Sequence, residues 1–438
     1  MAAASRFALL GTGNSTGVPW LHCVLNADSR CAVCAECMSN VASRNRRNNP
    51  SALLSVVDGG GRLRNILVDC GKTFRDTVQR SMSTLGIAKL DAVLLTHGHA
   101  DAIGGLDDLR DVAPDTTLPV YLSEACYNVV TRSFPYLTTR PTTRGLFVAH
   151  LDFIIIKPWE PFDVAGVRAV ALPIEHGPPG PTLGFEFWGL AAPADTLVHA
   201  SARQCGDVRK NADSCNTRAA EVETGGGARG AVAESMSVVA ADISAHEHIG
   251  STACDRIVYL SDLVALPVET RSYLVDASLP RPRLLVLDAL CYAPYPTHFT
   301  FRTGIACALD IKAETTVFVG MNHRVDYRAE QPKLVAFGAA RGARLELGYD
   351  GWVIDVAFAA HRSALDASTA INVARARVTA ARPLSAELSG SDAAVVQIGA
   401  HEATLNVVDY AHAVLPEWEE GQSPSPSATF CGVSVHAT

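Results

Sequence analysis

The chain is poor in charge and in aromatic rings. Of its 438 residues, 19% are charged and 7% aromatic, and the formal net charge is −8. No block of lysine or arginine stands out; Arg44, Arg46 and Arg47 form one small basic candidate. A general nucleic-acid binder usually shows a clustered basic face, so this balance leans against one without excluding a local patch. No apolar run is long enough to span a bilayer, and no signal peptide precedes the first strand. A cytoplasmic chain with no membrane partner is therefore expected. The glycine-rich turn from Gly11 to Pro19 lacks the closing Gly-Lys-Ser/Thr of a P-loop, so it reads first as a tight turn. What the chain does have is apolar bulk: 48% hydrophobic residues, enough for one large core or two domains.

Its twelve cysteines divide in two. Cys70, Cys126, Cys205, Cys215, Cys254, Cys291, Cys307 and Cys431 are scattered and read as reduced thiols. Cys31, Cys34 and Cys37 are spaced three apart, with Cys23 upstream. Three thiolates in a short knuckle suit zinc and need a fourth donor, from Cys23 or from a distant histidine. Without a secretory signal, a zinc clip in a reducing compartment is a better account than a disulfide framework.

The richest stretch is Leu94-Leu95-Thr96-His97-Gly98-His99-Ala100-Asp101-Ala102. Residues 92–95 read as a short buried strand, and a helical pattern follows over 102–112. Two imidazoles and a carboxylate at a strand end suit a divalent metal such as zinc. The plainer account is two surface histidines beside a helix-capping aspartate.

Strands are expected at 7–10, 52–57 and 64–69, the last two joined as a hairpin through Asp58-Gly59-Gly60-Gly61 and ending at Asp69. Further strands are expected at 118–122, 151–156 and 167–173, with a helix over 124–132. The strand at 167–173 runs into Ile174-Glu175-His176-Gly177. Residues 183–188 and 257–262 alternate as strands. Between them, 190–254 is polar and glycine-broken and reads as a flexible insertion. Loop closure costs only about 0.6 kcal/mol per doubling of length, so a hairpin tolerates it. A helix at 267–277, strands at 284–288 and 316–323, and a final strand pair at 344–347 and 351–356 complete the pattern. Residues 359–438 form an Ala-rich extension with no function assigned.

The His97-x-His99-x-Asp101 run after a strand resembles the signature of the metallo-β-lactamase superfamily, with Ala102 where a further histidine is usual. The glycine turn, the cysteine knuckle, the Arg-rich bridge and the hairpin ending in Asp69 together are similar to one branch. That branch holds the phosphoribosyl cyclic phosphodiesterase of phosphonate breakdown and its eukaryotic relatives. The resemblance covers roughly 5–358 without the insertion. It implies an α/β fold, an αββα sandwich of two mixed β-sheets flanked by helices, in a hydrolase domain over 1–358. It implies His97, His99 and His176 on one metal, Asp262 as a bridge between two, and Asp69 as support. His298 matches a histidine near the substrate, as proton donor to the leaving oxygen or as a helix-start residue. The family pattern has two histidines three apart where this chain has Gly320 and His323. His323 then falls on the structural zinc with Cys31, Cys34 and Cys37, leaving Cys23 spare.

The chemistry implied is hydrolysis of a cyclic or nucleotide-like phosphodiester. A metal lowers bound water's pKa to about 7, which makes hydroxide available at neutral pH. Asp101 and His298 are the catalytic candidates. The cofactors expected are zinc or manganese at the active site and a structural zinc. A second catalytic metal would keep only Asp101 and Asp262, a set suited to manganese. A tRNA-processing-type nuclease, a thioester or lactone hydrolase and a non-catalytic metal-binding protein stay open as alternatives. The expected partner is a small phosphodiester, with nucleic acid not favoured and a homodimer possible.

Overall fold

In the central strands the apolar positions alternate between two buried faces, with neither face left to water. Phe7 and Leu9 enter one hydrophobic cluster, while Ala8 and Leu10 enter another. Ile257 and Tyr259 share the first cluster, while Val258 and Leu260 belong to a third. Side chains on a strand alternate faces with period two, so strands apolar at every position need a packed layer on each side. The sequence runs 52–57 and 284–288 are of this kind.

The computed structural model describes residues 4–26, 28–58, 61–112, 117–138, 148–178, 180–189 and 255–358. The insertion expected at 190–254 and the extension at 359–438 lie outside these residues. Strands β1 (Arg6–Gly11), β2 (Ser51–Val57), β3 (Leu63–Val68), β4 (Ala92–Leu94), β5 (Leu118–Leu122) and β6 (Leu151–Ile155) lie side by side in one sheet, and β14 (Val353–Asp355) extends it beyond β1. The second sheet runs from β7 (Pro161–Val164) through β8 (Val167–Ile174), β9 (Thr182–Trp188), β10 (Arg256–Leu260), β11 (Leu284–Asp288) and β12 (Thr315–Val319) to β13 (Leu345–Leu347). Both sheets are mixed: antiparallel from β14 to β3 and from β7 to β10, parallel elsewhere. The cluster of Phe7, Leu54, Phe185, Ile257 and Val286 fills the space between sheets. The other two clusters lie under helices such as Glu124–Ser133 and Phe301–Ile311 on the outer faces. This is the αββα sandwich that the resemblance implies.

The helix Phe301–Ile311 shows how local sequence fits the layer. Phe301, Gly304, Ile305, Ala308 and Ile311 are buried at the spacing of one helical face, and Ala306 and Cys307 are buried beside them. Thr300 caps it by accepting from the Thr303 N–H at 3.2 Å.

Three expectations change. The helix expected over 102–112 is one α turn, Ala100–Ile103, and then a 3-10 segment, Leu106–Asp111. The break falls at Gly104-Gly105, where the chain passes too close to Lys72 and Phe74 for a side chain. The final strands do not pair with each other: β13 joins β12 in one sheet, and β14 joins β1 in the other. Each partner is distant in sequence, so local pattern could not show it. The helix at 267–277 is shorter, Val268–Leu274.

Candidate metal centre

The candidate residues leave the sheets at the same ends of their strands. Asp69 follows β3, Thr96 and His97 follow β4, His176 follows β8 and Asp262 follows β10. Asp288 closes β11, and Gly320 follows β12. Asp69 and Asp262 take left-handed backbone conformations, φ 60° and 54°, as the chain turns out of the sheet. Such positions are uncommon for non-glycine residues and tend to cluster at functional sites.

His97, His99 and His176 offer ligand nitrogens within 4.8 Å of one another. Hydrogen-bond logic assigns the tautomer of each ring. The Asp69 carboxylate accepts from the Thr96 N–H and from the Thr96 hydroxyl, both at 2.8 Å. That hydroxyl, its proton committed, accepts from His97 Nδ1 at 2.8 Å. The lone pair of His97 is thereby left on Nε2. His176 Nδ1 donates to the Thr297 carbonyl at 2.8 Å, and its lone pair is on Nε2. His99 Nε2 donates to the Pro178 carbonyl at 3.0 Å, leaving Nδ1. Each ring thus has one nitrogen fixed by a protein acceptor and one free to ligate, the usual second-layer support of a metal histidine. Burial holds His97 well below the ordinary histidine range, with His176 and His99 adding to the effect. Burial lowers His176 as well. Neutral rings are the form that binds metal.

Carboxylates close the other side. His97, Asp101 and Asp262 form a second group within 4.8 Å, and His176, Asp262 and His298 a third. Asp262 is common to both. His97 Nε2 lies 3.7 Å from Asp101 Oδ1. His97 Nε2, Asp101 Oδ1 and Asp262 Oδ1 are buried without any hydrogen-bond partner. An unmet buried polar group costs about 1–3 kcal/mol, so three at one point mark a site shaped for a cation. Burial, with Asp101 next, pushes the Asp262 carboxyl well above the usual range. The donor set fits a divalent metal: His97, His99 and His176 as imidazole ligands, with Asp101 and Asp262 as carboxylates.

His298 sits beside this set. Its Nδ1 is 2.9 Å from Asp288 Oδ2 and 3.9 Å from Asp262 Oδ1. Burial alone would lower its pKa, but Asp288 outweighs burial and carries it up to about 9. Asp288 and Thr96 are site residues that the sequence reading passed over. The available signal for Asp288 was an aspartate ending an all-apolar strand, the same pattern as Asp69.

The second cluster is the knuckle. Cys23, Cys31, Cys34 and His323 offer donors within 4.8 Å of one another. The Cys31 and Cys23 sulfurs are 3.3 and 3.4 Å from His323 Nδ1. Cys37, expected among the ligands, is not in this group, and Cys23 is. Cys31 caps the helix Ala32–Ser39, and its sulfur folds back to the Cys34 N–H. Cys37 is a turn further on, about 4.5 Å along the axis, and faces inward. There it is fully buried with Val18 and Val33. Arg47, expected as part of a basic patch, is instead buried and donates to the Asn322 and Val325 carbonyls at 3.2 and 3.0 Å. It ties the arm after the knuckle to the segment carrying His323. Arg44 lies over the Tyr349 ring at 4.3 Å.

Residues 64–202 match a family model described as the Beta-lactamase superfamily domain. That match takes in about a third of the chain, which is similar there to this family. A solved diphosphatase from the PhnP family is 22% identical with a TM-score of 0.53, over 82% of this chain and all of that one. It shares the fold. Zinc-bound PqqB from Methylobacterium extorquens is 17% identical, with a TM-score of 0.49, over 80% of this chain and all of that one. An octanoyltransferase of Porphyromonas gingivalis is 36% identical over 186 residues, 42% of this chain and 34% of that protein. The match thus spans about a third of that relative's length.

Among the described residues no helix is long and apolar enough to cross a membrane.

Proposed function

We propose that the chain is a metal-dependent hydrolase acting on a small phosphodiester, cyclic or nucleotide-like. The observation that carries the hydrolase reading is the arrangement of His97, His99 and His176, whose free ring nitrogens converge beside the unpartnered oxygens of Asp101 and Asp262. A divalent ion bound there supplies Lewis acidity toward phosphoryl oxygen and lowers the pKa of water. The protein's own part is orientation. Asp69, through Thr96, fixes His97; the Thr297 and Pro178 carbonyls fix His176 and His99. Asp101 is the carboxylate placed to accept a proton from the attacking water. His298 is anchored by Asp288, and two roles are open to it: protonating the leaving oxygen, or ligating. Support for a phosphodiester comes from the resemblance to the cysteine-knuckle branch and from the joining of Cys23, Cys31, Cys34 and His323.

The name of the octanoyltransferase raises acyl transfer as a rival. Transfer through a cysteine needs an accessible thiol of low pKa. Among the described residues outside the knuckle, Cys70, Cys126, Cys291 and Cys307 are buried, and burial pushes each thiol up.

The test is hydrolysis of bis(p-nitrophenyl) phosphate and of 2′,3′- and 3′,5′-cyclic nucleotides by purified protein with zinc or manganese. Turnover that disappears in a His97→Ala/His99→Ala double variant is the expected result. Turnover of pre-tRNA alone would move the reading to the nuclease, and no turnover with metal bound would move it to the non-catalytic protein.

A further inference from the structure

We propose that Tyr295 is a stacking platform for a nucleobase, so that the phosphodiester taken at the metal centre is a nucleotide. The proposal rests on the phosphodiesterase reading above and names its substrate class. Tyr295 lies between β11 and the helix Phe301–Ile311, in the run Pro294-Tyr295-Pro296-Thr297-His298. It is a large side chain left 54% exposed. Its ring centroid is 5.8 Å from that of His298, with the planes 49° apart. The His298 ring is in turn 5.0 Å from the ring of His176, one of the three ligand candidates. The tyrosine thus stands one ring beyond the metal centre, as a base stands beyond its phosphate across a ribose.

The position of this ring is set by the site itself. Proline fixes its own φ and holds the residue before it to extended backbone, so Tyr295, between Pro294 and Pro296, has little backbone freedom. Tyr295 and His298 form an antiparallel bridge that closes the bend. Within the bend, the Thr297 carbonyl accepts from His176 Nδ1 at 2.8 Å, and His298 Nδ1 donates to the Asp288 carboxylate at 2.9 Å. A ligand stacked on Tyr295 is therefore registered against the metal centre. The two rings are tilted, not stacked, so a face of the tyrosine is open to a planar group. A tyrosine turns about two χ angles only, and ordering it on a ligand costs little. Every base offers a π face to such a ring, whereas a sugar phosphate without a base offers none. With a net charge of −8 and no basic block, the chain has little field to draw in a phosphate, and stacking is a source of affinity that needs no charge.

The test uses the full chain loaded with zinc, titrated calorimetrically with 3′-AMP and with ribose 5-phosphate, which has a sugar and a phosphate but no base. The wild type is expected to bind 3′-AMP the more tightly. Tyr295→Ala should weaken 3′-AMP about 5–150-fold, the usual effect of removing an aromatic ring from under a base. Tyr295→Phe should keep the 3′-AMP affinity, because the ring face makes the contact. Both variants should keep the wild-type zinc content, which reports that the metal centre is intact. In turnover, Tyr295→Ala should raise KM for 2′,3′-cyclic AMP by the same factor and change kcat little. Equal affinity of the wild type for the two ligands, or wild-type 3′-AMP affinity in Tyr295→Ala, would overturn the proposal. A Tyr295→Phe variant as weak as Tyr295→Ala would assign the contact to the hydroxyl and overturn it as well. Base-dependent binding through Tyr295 with no diester turnover would leave the platform standing and remove the phosphodiesterase reading. Cyclic AMP turnover with one KM in the wild type and Tyr295→Ala would do the reverse.

Discussion

The two candidate metal clusters of this chain are built on opposite plans. In the histidine centre, a single tripeptide, His97-Gly98-His99, supplies two ligands, and each of the three ligand rings is braced by a second protein group. His97 and His176 are buried, at 1% and 7% exposure. In the knuckle, Cys23, Cys31 and His323 are half-buried. Cys31 and Cys23 meet His323 across 292 and 300 residues of chain. The first centre is held in shape by hydrogen bonds from Thr96 and from the Thr297 and Pro178 carbonyls. The second brings a short helical arm beside the segment that follows β12 of the other sheet, where thiolates would gain their binding energy from a metal. A braced centre is suited to chemistry that needs fixed geometry, and a bridging one to holding distant segments together.

That contrast can be broken or sharpened by experiment. The largest effect is expected at the histidine centre. His97→Ala/His99→Ala should lower diester turnover by about 10³-fold or more, since the metal contributes several kcal/mol to the transition state. The same variant should keep its knuckle zinc, counted by elemental analysis, and a loss of both ions would show that the two centres are one folding unit. At the knuckle, Cys23→Ser should lose one zinc per chain and lower the melting temperature while most turnover at permissive temperature remains. Cys37→Ser should keep the zinc. Its cost should be about 1–3 kcal/mol, from a hydroxyl placed among Val18 and Val33. Zinc lost from Cys37→Ser and kept by Cys23→Ser would reinstate the ligand set expected from spacing.

A smaller effect tests the bracing. Thr96→Val removes the hydroxyl between Asp69 and His97 at nearly constant volume, and should weaken metal binding at the histidine centre about 10–100-fold without touching the knuckle. Unchanged affinity in a competition titration would mean that packing alone orients the ring.

The smallest effect is in pH. Burial depresses His97 in the folded protein, so the unfolded chain binds the extra proton first. Metal-free protein should therefore lose stability as pH falls through about 6.5, by up to about 1.4 kcal/mol per pH unit from this residue. His97→Gln should remove that part of the slope, as read from denaturant melts at pH 5.5 and 7.5. An identical slope in both would show that His97 is not buried in the neutral form.

Much of the site was legible in the sequence because it is local. The strand ending at Leu94, the two histidines and Asp101 lie within eight residues. Asp69, His176 and Asp262 each follow a strand whose apolar pattern is plain, and the structure brings all three to the same place. What sequence reading missed has a different origin. Cys37 and Cys23 are both plausible third thiols by spacing, and only the direction in which the helix Ala32–Ser39 faces separates them. Asp288 sits in a run that reads as buried strand, and its partner His298 is ten residues away in a loop whose path the pattern does not give. The strands at 345–347 and 353–355 are adjacent in the chain, yet each is claimed by a distant partner.

The period-two apolar strands, the alternation that demands two buried faces and the ligand types at the strand ends are all readable along the chain. These follow from covalent geometry and from the exclusion of apolar surface from water, which act over a few residues. Which thiols meet His323, which nitrogen of each histidine is free, and the place of Asp288 beside Gly320 come from packing between distant segments. Those outcomes depend on distances of a few ångströms between segments up to 300 residues apart, set by how the two sheets and their outer helices pack.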